Sequence, residues 1–170
     1  MIAYRDATPA DAALLTDLFA RGFTETFGHL YKPEDLAAFL AGADEAAWAA
    51  ELADPRLAVR LAEEDGTPVG FAKVGTLRLP VTPAVPAVEL RQLYILEPWH
   101  GLGIAQELMR WTLESARAEG ATELYLSVYV DNHRARRFYD RYGFTFVAPY
   151  AFMVGNQADE DHIMRLALDS

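Results

Sequence analysis

Two stretches of the chain carry residue types at spacings that can do chemistry. The first starts at Glu89 and places Gly101 and Gly103 where a strand-like segment gives way to an amphipathic one. A glycine-lined turn that opens a helix leaves backbone amides uncovered, and the helix dipole favours negative charge there, so phosphate is the natural guest. A tight strand-to-helix turn that binds nothing has the same local sequence. Other phosphate motifs fit less well: no Gly-Lys-Ser/Thr triplet is present, and Gln106 fills the position where a dinucleotide-binding turn needs a third small residue. The second stretch runs from Asn132 to Phe144 and sets Ala135, Phe138, Tyr139 and Tyr142 at helical spacing, with Gly143 as the stop. By spacing alone, Tyr139 is a core aromatic of that stripe.

In order and distance, the two stretches resemble the motifs of the GCN5-related N-acetyltransferase (GNAT) superfamily. These motifs are Arg/Gln-x-x-Gly-x-Gly/Ala and Asn-x-x-Ala-x-x-Phe-Tyr-x-x-x-Gly-Phe. The second is matched throughout, from Asn132 and Ala135 through Phe138 and Tyr139 to Gly143 and Phe144. In the first, Gly103 and Ala105 fit, while His100 stands where Arg or Gln is usual. The resemblance implies acetyl-CoA as cosubstrate and no metal. It implies a backbone site for the pantetheine arm at Leu93, Tyr94 and Ile95, and a pyrophosphate site in the turn of His100, Gly101, Leu102, Gly103, Ile104 and Ala105. Asn132 is the expected hydrogen-bonding partner of the pantetheine arm. Tyr139 is the expected acid for the departing thiolate, since a phenol beside the sulfur can protonate it. Glu89, taken to lie opposite the side of Gln92, matches a carboxylate that deprotonates the incoming amine through water; an edge charge at a strand start fits it equally.

More loosely, the whole chain resembles the bacterial spermine and spermidine N-acetyltransferases. Residues 23–27 (Phe-Thr-Glu-Thr-Phe), the turn at 100–103 and the segments Phe152 to Asn156 and Asp161 to Met164 carry that likeness. It implies a polyamine or other small cationic amine as acceptor. Protein N-termini, amino acids or antibiotics are the alternatives, as is a module that binds acetyl-CoA without turnover. Homodimers are frequent in the superfamily, so a second copy is a partner expected by analogy.

The elements that must hold these residues read as follows. Strands are expected at Ile2 to Arg5, Leu57 to Ala62, Val69 to Leu77, Ala87 to Leu96, Leu124 to Val130, Thr145 to Val147 and Ile163 to Leu168. Helices are expected from Thr8 to about Phe23, over Pro33 to Leu52 with a break near Gly42, from Gly101 to Gly120, and from Asn132 to Gly143. Glu64-Asp65-Gly66-Thr67 is a hairpin turn, and the strand, helix, strand order after Ala87 needs a right-handed crossover between parallel strands. The expected class is α/β, one N-acetyltransferase domain over 1–170. Its sheet is mixed and mostly antiparallel, flanked by helices, and the resemblance adds a splayed parallel pair at the coenzyme.

Composition sets the remaining bounds. A chain of 170 residues that is 52% hydrophobic can bury a core unaided. The absence of cysteine excludes disulfides, a thiol nucleophile and Cys-ligated zinc. With 25 acidic against 15 basic residues the net charge is −10, which opposes nucleic acid and anionic lipid and suits a cationic substrate. Most of the excess acid precedes residue 67, whereas Arg134, Arg136, Arg137 and Arg141 gather on one helix, for coenzyme phosphates or for solvent. Phe27, His29 and Tyr31 either line an acceptor pocket or form an aromatic loop packed on the sheet, and Asp159-Glu160-Asp161 either meets a cationic acceptor or is a solvated loop. His29, His133 and His162 have no metal-ligand spacing. The N-terminus lacks a signal-like pattern and no apolar run of membrane-spanning length occurs, so a soluble cytoplasmic protein without membrane partners is expected.

Overall fold

Alternating strand patterns and four apolar helical stripes resolve into a seven-stranded sheet with helices on both faces in the computed structural model, which describes residues 1–168. The strands are β1 (Ile2–Asp6), β2 (Leu57–Glu64), β3 (Thr67–Thr76), β4 (Ala87–Ile95), β5 (Glu123–Tyr129), β6 (Thr145–Val154) and β7 (Gln157–Ala167). The helices are α1 (Ala12–Phe27), α2 (Pro33–Ala41), α3 (Glu45–Leu52), α4 (Ile104–Ala118) and α5 (His133–Tyr142). Sheet order is β1-β2-β3-β4-β5-β7-β6, and every neighbouring pair is antiparallel except β4 with β5. The α/β, mostly antiparallel architecture expected from the sequence is the one observed.

The core has two main layers. On one face Leu108, Met109 and Ala116 of α4 and Phe138 and Tyr139 of α5 pack on Val74, Leu90, Leu124 and Leu126. On the other, Leu15, Leu18, Phe19 and Phe23 of α1 pack with Trp48 of α3 on Leu61 and Phe71. α1 and α4 each bury one stripe, and that burial, about 25 cal/mol per Å² of apolar surface, outweighs weak helix propensity.

Three expectations need correcting. The helix after β4 starts at Ile104, not Gly101, because Gly101 and Gly103 both have positive φ (79° and 84°) and form the turn. The first long helix continues to Phe27, as its apolar stripe does. The last two strands are far longer than expected and form one hairpin closed at Gly155 and Asn156. Pro149 and the acidic run at 159–161 hide the alternation locally; pairing with β5 along the full length of β7 enforces it.

Candidate active site

Where β4 and β5 start, they pair as parallel strands only at Ala87–Glu89 against Glu123–Tyr125; beyond that they part. Part of the cause is local. Gln92 faces Lys73 and Leu90 faces Val74, so Arg91 is an extra residue bulged out of the β3–β4 ladder. A cavity of about 320 Å³ opens through the split. On one side it is lined by Ile104, Ala105, Asn132 and Tyr139 from α4 and α5, and on the other by Phe23, Phe27, Tyr31, Phe39, Phe152, Asp159 and Asp161.

The backbone of β4 is directed into the split by simple alternation. Leu96 N–H donates to the Val69 carbonyl at 2.8 Å, so the antiparallel ladder takes the groups of Tyr94 as well and turns those of Leu93 and Ile95 toward β5. The Ile95 carbonyl is met there by His100 Nε2 at 2.7 Å. Tyr94 projects its ring to the α1 face, between Phe71 and Phe19.

The turn that follows is built to hold an anion. Gly103 is the N-cap of α4 in the left-handed region, no side chain caps that helix, and a Cβ at Gly101 or Gly103 would meet only open space. The first amides of α4 therefore have no internal acceptor. His100, Gly101, Gly103, Ile104 and Ala105 line the cavity, while Leu102 turns an exposed side chain away and can contribute backbone only. Arg134, in the first turn of α5, donates to His100 Nδ1 at 2.6 Å and also lines the cavity, adding a cation beside the turn.

Asn132 caps α5: its side-chain oxygen accepts the Ala135 N–H at 3.3 Å, leaving the amide NH₂ free to donate to a ligand. Tyr139 is buried against Phe138 and Phe144 and lines the cavity, and burial holds its phenol protonated far above the usual range. Tyr94 feels both the Tyr139 phenol and the Asp161 carboxylate. A proton donor and a carboxylate thus face one space from opposite sides of the sheet.

Glu89 is placed elsewhere. It is not among the residues lining the cavity; it is buried, and its carboxylate accepts the Arg78 N–H at 2.9 Å, anchoring the loop after β3. Burial also pushes its pKa up. The bulge at Arg91 resets the alternation, so Leu90 joins the α4 layer with Leu93 and Ile95, and Glu89 shares the face of Gln92 rather than lying opposite it.

Other residues that sequence reasoning undervalued come together here. Asp159 and Asp161 are buried, at 8% and 7% exposure, with Glu160 turned outward. Tyr31 donates its hydroxyl to Asp159, and Ser127 of the adjacent strand β5 lies beside Asp161. Period-two alternation through Asp159, Asp161 and the fully buried Ile163 was the available signal. Phe27 and Tyr31 line the cavity as expected; His29 is exposed and does not. Among the described residues no cluster of His, Asp and Glu could hold a metal.

A split parallel pair, an uncapped glycine turn and a buried phenol form a site for a phosphate-bearing acyl carrier. The sequence model of the acetyltransferase (GNAT) family matches residues 13–144. The chain belongs to this family. It is therefore an acyl-CoA-dependent N-acetyltransferase with acetyl-CoA as cosubstrate. An uncharacterized N-acetyltransferase of Mycobacterium tuberculosis is 35% identical over 155 residues, 91% of this chain and 96% of that protein. The structure of PaiA N-acetyltransferase from Thermoplasma acidophilum in complex with coenzyme A matches with a TM-score of 0.79 at 18% identity, covering 98% of this chain and 99% of that one. YncA, an acetyltransferase from Salmonella typhimurium solved with acetyl-CoA, matches with a TM-score of 0.71 at 22% identity over 100% of this chain and 95% of that one. Such GNAT chains share the sheet described above, and among the described residues no helix is long and apolar enough to cross a membrane.

Proposed function

We propose that this GNAT enzyme acetylates a small cationic amine, with polyamines as the acceptor class. The observation that carries the reading is the pair Asp159 and Asp161, both buried, both lining the cavity, and neither in an ion pair with a basic side chain among the described residues. Two buried carboxylates without a cation are costly, and a polyamine with several ammonium groups relieves that cost. Phe23, Phe27, Phe39 and Phe152 around them suit the methylene segments of such a chain.

The remaining roles are part of the same reading. Acetyl-CoA supplies an activated thioester when bound. Leu93 and Ile95 offer backbone groups to its pantetheine arm, the Asn132 amide donates to it, and the turn from His100 to Ala105 with Arg134 holds the diphosphate. Tyr139, neutral and buried, gives its proton to the sulfur as the C–S bond breaks. The amine attacks directly, since the cavity presents no cysteine.

A thiol-release screen over polyamines, amino acids and short peptides tests the reading. Turnover is expected with spermidine and spermine; if those fail while amino acids or peptides succeed, the acceptor class is wrong.

A further inference from the structure

Attack on a thioester requires an unprotonated amine, and an acceptor that binds as an ammonium must lose a proton inside the cavity. Glu89 lies outside the lining with its carboxylate on a backbone N–H, and Glu51 is paired with Lys73 at 2.8 Å. His100 has both ring nitrogens engaged. Asp159 accepts from Tyr31 and from Gln157 Nε2. One cavity carboxylate has less occupied. We propose that Asp161 is the proton acceptor of the reaction, standing on the acceptor side of the split between β4 and β5 beside Ser127 of the adjacent strand. The proposal rests on the acceptor reading above and names the residue that makes it work.

Two further observations support the position. Gln92, on the same face and in the same cavity, has a buried side-chain oxygen without any partner, which an amine N–H satisfies. Burial, with Asp159 beside it, lifts the pKa of Asp161 to about 7, close to the value at which a base works best near neutrality. The groups facing Asp161 are Ser127 and Tyr129 from β5, Asp159 from β7, Tyr150 across the ladder on β6, Tyr31 after α1 and Tyr94 from β4. None is a basic side chain; Ser127 alone favours the carboxylate, and burial with the Asp159 charge outweighs it.

The step balances. The ammonium gives one proton to Asp161, which returns it to solvent. The freed nitrogen forms a C–N bond at the thioester carbonyl and the C–S bond breaks. Tyr139 protonates the departing sulfur, and the second nitrogen proton restores the phenol. Net, one ammonium and one thioester become an amide, a thiol and a released proton.

The test compares wild type with Asp161→Asn, Asp161→Glu and Glu89→Gln, using acetyl-CoA with spermidine, butylamine or glycinamide. Wild-type kcat/KM is expected to show an acid limb near pH 7. Asp161→Asn should lose that limb and about 10²–10³-fold in kcat/KM, with acetyl-CoA affinity by calorimetry unchanged. Asp161→Glu should recover part of the rate, and Glu89→Gln should keep the limb. Asp161→Asn within about threefold of wild type with the limb intact would overturn the assignment. If no amine turns over while acetyl-CoA binds, the acceptor reading fails on its own. Asp161 is then judged by infrared titration of the protein alone: a protonated-carboxyl band that titrates near pH 7 and is missing from Asp161→Asn supports the proposal, and its absence rejects it.

Discussion

Arg134 donates a hydrogen bond to His100 Nδ1, and that single contact determines the state of the imidazole. A guanidinium has only donors, so Nδ1 must be bare and the ring proton must sit on Nε2, where it meets the Ile95 carbonyl. His100 is thus a bracket that holds a cation from α5 against the glycine turn. Where the usual motif has Arg at this position, the cation stands on the turn itself.

Arg134→Ala should therefore weaken coenzyme A binding by roughly 10-fold, about 1.4 kcal/mol, with a shallower salt dependence than wild type. His100→Ala should do nearly as much by leaving the guanidinium unplaced. Calorimetry at two salt concentrations measures both, and an unchanged affinity in Arg134→Ala removes the bracket.

For Tyr139 the expected signature is a split between binding and turnover. Tyr139→Phe keeps the ring packed against Phe138 and Phe144, so acetyl-CoA affinity and melting temperature should hold while kcat falls about 10²-fold. Full turnover in this variant contradicts the acid role.

Glu89→Gln retains an oxygen for the Arg78 N–H and sheds a buried charge. Activity within a few-fold of wild type and an unaltered pH profile are expected. A lost acid limb would instead return proton removal to Glu89.

The stability of the protein should carry the mark of Asp161. Its folded pKa of about 7 exceeds the unfolded value near 3.9, so between them the native state binds a proton that the unfolded chain has lost. Stability accordingly declines as pH rises through that window. Asp161→Asn, which carries no charge at any pH, should match wild type near pH 4 and melt at least ~2 °C higher at pH 8. Equal melting temperatures at pH 8 would mean that the carboxylate pays no desolvation cost.

Gly155 tests how the acceptor wall is held. It closes the β6–β7 hairpin at φ 57°, and a Cβ there would lie 2.5–2.8 Å from Asp35, whose carboxylate also accepts the Asn156 N–H. Gly155→Ala should cost about 1–3 kcal/mol and raise the KM for the amine while leaving acetyl-CoA affinity near wild type.

Much of the coenzyme half was legible in the chain because its determinants are local. Two glycines of positive φ, an uncapped helix start and an Asn cap lie within a few residues of what they control. The apolar stripes of α1, α4 and α5 likewise announce their buried faces through spacing alone. The acceptor half depends on contacts between segments distant in sequence. The face Glu89 takes depends on one extra residue, Arg91, whose bulge exists only against β3. The run at 159–161 fits a cation site and a solvated loop equally until β5 and β6, distant in sequence, flank β7 and turn Asp159 and Asp161 inward. Short-range sterics and hydrogen bonding write the turn and the caps into adjacent residues, whereas register and burial arise from partners that only the folded chain brings together.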